Sequence, residues 1–167
     1  TLAQIFRWRG WPNRSEKEIQ RVLNEEPDDL GSELIDSSNK LSLAEYEKAE
    51  EKIDRLVEIY PENKQVQRLD RQWAVHNKRE LAVNFRAARS DGPQIGTDDM
   101  RVDSYLFSSP INYQWRGFLH HHYSTADLPE GIPRHHRLGG GAEYRYRRGR
   151  VRGEVNSGGA DNTSAGA

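Results

Sequence analysis

The sequence predicts an α+β fold: a fragment in which an α-helical repeat precedes the antiparallel strands of a truncated transmembrane β-barrel. Three observations carry this expectation. Helical texts recur at a spacing of 34 residues, the apolar period changes from helical to two at Arg79, and the connections after that point alternate between long and short.

Composition narrows the classes. Only 34% of the 167 residues are hydrophobic and 31% are charged, a thin supply for a self-sufficient soluble core. The absence of cysteine rules out a disulfide frame, a thiolate nucleophile and a cysteine-bearing zinc site. No apolar run approaches the roughly 18 residues of a membrane helix, which leaves a barrel open. Residues 1–77 hold 12 Lys/Arg against 16 Asp/Glu, and residues 78–167 hold 13 against 10, so the chain divides into 1–77 and 78–167.

In the first part, "IQRVLNEEPDDL" and "IDRLVEIYPENK" carry apolar residues at helical spacing and end at Pro27 and Pro61. The offset between those prolines also pairs Ser15 with Ala49, Ile19 with Ile53, Val22 with Leu56 and Asp29 with Asn63. That is the period of a tetratricopeptide repeat, with Gly10 in the turn between helices. The segment "GSELIDSSNKLSL" fits this pattern poorly. Residues 64–77 read as a closing helix with Val66, Leu69, Trp73 and Val75 inward. Two repeats cannot bury their own faces, so a longer array is expected.

From Arg79, Leu81, Val83, Phe85 and Ala87 alternate with Glu80, Ala82, Asn84 and Arg86. "MRVDSYLF" is a second strand with apolar residues on both faces, so its orientation is open. The third sets Tyr113, Trp115, Gly117, Leu119, His121 and Tyr123 against Gln114, Arg116, Phe118, His120 and His122. The fourth opposes Leu138, Gly140, Ala142, Tyr144 and Tyr146 to Arg137, Gly139, Gly141, Glu143 and Arg145. The fifth, "RVRGEVN", opposes Val151, Gly153 and Val155 to Arg152, Glu154 and Asn156, and gives way to a small, polar tail. Long loops at 90–99 and 124–134 alternate with short turns at 108–112 and 147–149, the asymmetry of an outer-membrane barrel. A soluble meander predicts the same face alternation.

Five histidines fall between His120 and His136, and with Asp127 or Glu130 they suggest a metal or a base. Strand alternation separates them, however. His120 and His122 share one face about 6 to 7 Å apart while His121 points away, and His135 and His136 diverge. No catalytic residue, metal site or cofactor is therefore expected, and no enzyme activity; no nucleic-acid partner is expected either.

The order of helical repeat then strands, with "FRWRGWP", "YPENKQVQRLDRQW", "RELAVNFR" and "EYRYRRGRVRGEVN", resembles the outer-membrane poly-β-1,6-N-acetyl-D-glucosamine export porins of biofilm-forming Gram-negative bacteria. The resemblance implies a periplasmic tetratricopeptide region that engages the exopolysaccharide and a periplasmic polysaccharide deacetylase. It also implies a barrel set in outer-membrane lipid that conducts the polymer. A hydrated polymer needs a wide polar path of weak contacts. The candidates for that path are Glu80, Asn84, Arg86, Gln114, Arg116, His120, His122, Arg137, Glu143, Arg145, Arg152, Glu154 and Asn156, with Trp8, Arg9, Trp11 and Tyr46 on the surface of the repeat. The family's acidic lumen contrasts with the arginine-rich set here. Pairing between neighbouring strands explains each inward charge equally well. A cellulose-type exporter and a soluble repeat adaptor are the alternatives.

Overall fold

A computed structural model describes residues 1–91, 96–126 and 133–161. Five helices, α1 (Leu2–Trp8), α2 (Pro12–Glu25), α3 (Leu30–Ser42), α4 (Tyr46–Ile59) and α5 (Lys64–His76), precede five strands, β1 (Glu80–Asp91), β2 (Gly96–Phe107), β3 (Trp115–Ala126), β4 (Arg134–Tyr146) and β5 (Gly149–Asp161). Two compact units form. One contains Thr1–Lys78 with Pro110–Trp115 and Tyr144–Val151, and the other contains the remaining described parts of the strands.

In the first unit the 34-residue offset holds for whole elements. The starts of α2 and α4, Pro12 and Tyr46, obey it, as do the starts of α3 and α5, Leu30 and Lys64. So do the N-caps Asp29 and Asn63. Asp29 accepts from the Ser32 amide at 2.8 Å, and Asn63 accepts from the Gln65 and Val66 amides at 2.9 and 3.3 Å, each satisfying orphan donors of a first turn. The turns before α2 and α4 place Gly10 at φ +70° and Ala44 at φ +56°, again one period apart. Each helix packs on the next, and α3 also packs on α1 and α5.

Ser15 and Ala49 are both fully buried where α2 and α4 approach their neighbours. The larger core gathers Tyr46, Ala49, Ile53, Leu56, Val66, Leu69 and Trp73, and a smaller one joins Ala3, Ile19 and Ile35. Val75, expected inward, is exposed instead. The poor sequence match of α3 has a physical reason. This central helix buries Ser32, Asp36, Ser37, Ser38 and Asn39 in place of apolar side chains. Part of this polarity is paired locally: Asn39 Nδ2 donates to Ser15 Oγ at 2.9 Å, Ser15 Oγ donates to the Ala3 carbonyl at 2.8 Å, and Asp36 pairs with Lys52 at 3.0 Å, while Asn39 Oδ1 is buried without a hydrogen-bond partner.

The strands form one sheet in sequence order. β1 and β2 are antiparallel with Leu81 opposite Leu106 and Phe85 opposite Val102, and β2 and β3 are antiparallel with Leu106 opposite Leu119. At 12 or 13 residues each, the strands exceed the 9–11 residues, roughly, that a tilted membrane strand needs.

Several expected boundaries are corrected. The loop expected at 90–99 narrows, because Ser90 pairs with Thr97 and Asp91 with Gly96. β3 runs on through Ala126, and β5 continues through Ser157 to Asp161 where a polar tail was expected, since backbone pairing needs no apolar side chain. Asp127 and Glu130 lie outside the described residues. Tyr113 and Gln114, expected in β3, fall in the turn before it, where Asn112 and Tyr113 both have positive φ.

Candidate functional site

One face of the sheet is apolar and open. Leu81, Val83, Phe85, Leu119, Leu138, Val151 and Val155 are all more than half exposed on it. A large apolar surface left uncovered requires a partner or a membrane. Near the turns Trp115 lies 4.7 Å from Tyr144, which stacks on Tyr146 at 6.3 Å. Toward the opposite strand ends Tyr123 lies 4.7 Å from His136. Aromatics near both ends of an apolar band match the interfacial girdles of membrane barrels.

The opposite face is polar, and part of it is closed over itself. Arg152 donates to Glu143 at 2.7 Å, and its guanidinium lies 5.1 to 5.2 Å from the ring centres of Tyr105, Phe107 and Phe118. Glycine makes this packing possible. A Cβ on Gly141 would collide with the Gly153 carbonyl and the Phe118 ring, and one on Gly139 would meet Glu154. Arg116 reaches Glu80 at 3.3 Å. His120 stacks on Tyr105 at 3.9 Å, with Nδ1 2.9 Å from Glu154 and Nε2 3.4 Å from Asp103, which also meets His122 Nδ1 at 2.7 Å. Both nitrogens of His120 can donate together only in the imidazolium form.

These placements divide the predicted lining. Glu143, Arg116 and His120 are 0%, 3% and 3% exposed, so they have no surface to offer a polymer and instead tie strands together. Asn84, Arg86 and Asn156 are open on the same face, while His122, Arg137 and Glu154 are half-buried. Gln114 is corrected to the turn, where its carbonyl accepts from the Arg145 amide at 3.0 Å. Sequence reasoning missed Asp103, Tyr105 and Phe107, because apolar residues on both faces of β2 hid its phase. The alternation of Asp99, Arg101 and Asp103 with Met100, Val102 and Ser104 was the available signal.

The histidines separate as expected. His122 lies 6.1 Å from His135 on one face, and His121 lies 6.3 Å from His136 on the other. Among the described residues no His, Asp and Glu group has metal-site geometry.

On the helical unit Trp8 is 80% exposed, and Trp11 is flanked by Arg9 and Arg14 at 5.6 and 4.8 Å from its ring. Tyr46 is corrected from surface to core. It is 5% exposed and packs with Trp73 and His76, because the first turn of α4 faces α5. The same unit clamps the turn between β4 and β5. Arg147 reaches both Glu16 and Glu45, which also hold Lys40 at 2.5 and 3.1 Å.

Comparison with known proteins agrees with this two-faced sheet. Residues 75–167 match the PgaA membrane beta barrel domain. The chain is 30% identical over 130 residues to the poly-beta-1,6-N-acetyl-D-glucosamine export proteins of Escherichia coli K12 and O157:H7, a region of 77% of this chain and 16% of each relative. The chain thus spans about a sixth of the length of those relatives. No solved structure matches. An apolar band bounded by aromatics, a polar face behind it, and a family match across every strand lead to one conclusion: this chain belongs to the PgaA membrane β-barrel family, whose strands lie in the outer membrane of Gram-negative bacteria.

Proposed function

We propose that the chain forms part of the wall and the adjoining periplasmic helices of an exporter for poly-β-1,6-N-acetyl-D-glucosamine. The observation that carries this reading is the division of one sheet into a lipid-suited apolar face and a polar face with open Asn84, Arg86 and Asn156. Exposed amides and guanidiniums offer exchangeable hydrogen bonds to sugar hydroxyl and acetamide groups, and a polymer advances by exchanging weak contacts. The pairs Arg152–Glu143 and Arg116–Glu80, each with one buried partner, stiffen the wall beneath that path. No residue in this reading performs catalysis.

The helices are read as tetratricopeptide repeats on the strength of the 34-residue offset in caps, turns and helix starts. Their exposed Trp8 and the Arg9–Trp11–Arg14 cluster form the surface offered to polymer or to a periplasmic deacetylase.

The test is complementation. The full-length protein is expressed in a Gram-negative strain that makes the polymer but lacks its exporter, and surface polymer is measured with a polymer-specific lectin or antibody. Restored surface polymer is expected. A protein that assembles in the outer membrane while the polymer stays in the periplasm would sink the reading.

A further inference from the structure

The apolar face of the sheet changes character along β4. Strand alternation puts Leu138, Tyr144 and Tyr146 on that face together with His136 and Arg134 at the opposite end. Tyr146 and His136 are ten residues apart, which is about 33 Å along a strand and about 25 Å across a bilayer at the usual barrel tilt. That distance is the height of a barrel's apolar band, so His136 falls at its far edge and Arg134 about 5 Å beyond, at headgroup depth. Trp115 meets Tyr144, and Tyr123 meets His136 eight residues further along both strands, so the same antiparallel register sets Thr125 opposite Arg134.

Arg134 and His136 are exposed, and Tyr123 and Thr125 are half-buried. Among the described residues no ion pair or hydrogen bond engages these four side chains, whereas Arg116 and Arg152 on the polar face are paired with Glu80 and Glu143. A cation on the lipid side of a barrel is costly within the hydrocarbon and close to neutral at the interface, where lipid phosphates attract it. A guanidinium takes a phosphate through paired hydrogen bonds, and an imidazole N–H and two hydroxyls supply further donors around it.

We propose that Arg134, His136, Tyr123 and Thr125 bind the phosphate of a phosphorylated glycolipid in the outer leaflet of the membrane. This rests on the reading of the helices as periplasmic. The Tyr146 end of β4 enters the helical unit, to which Tyr144–Val151 belong, so the Arg134 end lies in the leaflet that faces the medium. In a Gram-negative outer membrane that leaflet is built of phosphorylated glycolipid, while glycerophospholipid fills the periplasmic one. The contact pins β3 and β4 at one depth in the bilayer, at the end opposite the aromatic belt of Trp115, Tyr144 and Tyr146.

The full-length protein in a non-ionic detergent is titrated by native mass spectrometry with four probes: bisphosphorylated lipid A, the same lipid stripped of its phosphates, phosphatidylglycerol and inorganic phosphate. The wild type is expected to retain bisphosphorylated lipid A, and R134Q/H136Q to bind it about tenfold more weakly. R134K keeps the charge without the paired hydrogen bonds and should fall between the two. Heat-modifiable gel mobility reports assembly, and R134Q alone replaces the double variant if that one does not assemble. Equal binding by wild type and R134Q, or of the phosphorylated and dephosphorylated lipids, overturns the site. Preference for phosphatidylglycerol overturns its assignment to the outer leaflet, and equally tight binding of inorganic phosphate overturns its assignment to a lipid. Export is read separately in cells. An exporter that does not bind lipid A removes this inference alone, and a lipid A binder that does not export removes the export reading.

Discussion

The Tyr113 hydroxyl donates to Glu50 Oε2 at 2.6 Å, from a backbone held at φ +65°. Both residues belong to the helical unit, Glu50 on α4 and Tyr113 in the turn that enters β3. The bond to Glu50, followed by the attraction and burial that accompany it, holds the phenol above its ordinary pKa. A left-handed tyrosine where turns prefer glycine is a conformational cost retained for a contact.

Two substitutions separate the contact from its backbone. Y113F removes the hydrogen bond and keeps the strain, so hydrogen exchange at residues 110–115 should quicken several-fold. Y113G relieves the strain and also loses the bond, so its exchange should fall between wild type and Y113F. Slower exchange in Y113F than in wild type would contradict the anchoring role.

Gly10 and Ala44 make opposite predictions from one geometry. Both occupy left-handed turns one repeat apart, at φ +70° and +56°. Alanine pays about 1 kcal/mol there relative to glycine. G10A should therefore destabilise the helices by about that amount, with no Cβ clash to add to it. A44G should gain somewhat less, because the Ala44 methyl packs against the core. Thermal unfolding followed at 222 nm in detergent checks both signs.

What was legible in the sequence followed periodicity. Matched pairs such as Ser15 and Ala49 announced the repeat because buried small residues recur where helices cross closely. The outward face of β1 was equally plain in Leu81, Val83 and Phe85. What was not legible depended on contacts between residues distant in sequence. Glu143 reads as a lumen charge until Arg152 is seen against it, and Arg147 reads as a turn residue until Glu16 and Glu45 close on it. Tyr46 reads as a surface aromatic because periodicity gives a helix face without saying which neighbour covers it.

The charge cluster at the β4–β5 turn predicts a pH window. Burial works against the charge of Glu45, but hydrogen bonding and attraction to Lys40, with help from Arg147, outweigh it, and its pKa is lowered. Burial likewise opposes the charge of Lys40, while Glu16 and Glu45 raise its pKa on balance. A lowered carboxylate contributes stability above its unfolded value of about 4.3, lost as pH falls through the folded value. A raised lysine contributes stability below about 10.4, lost as pH rises through the folded value. Protection of the 147–149 turn against exchange, taken relative to the intrinsic rate at each pH, should therefore be greatest between those limits. E45Q should flatten the acid limb, and an unchanged acid limb would remove Glu45 as its source.

Gly141 and Gly153 face each other across β4 and β5 and should tolerate substitution very differently. A Cβ on Gly141 meets the Gly153 carbonyl and the Phe118 ring, neither of which is the free end of a flexible side chain. A Cβ on Gly153 meets nothing within 4 Å. G141A must therefore push β5 or Phe118 aside, disturbing the cluster in which Arg152 covers Phe107 and Phe118. A strained, overpacked position of this kind costs roughly 1–3 kcal/mol. Heat-modifiable mobility of the full-length protein in outer-membrane fractions should fall for G141A and stay at the wild-type level for G153A. Equal assembly of the two would mean that the close approach of β5 to Gly141 does not govern how these strands pair.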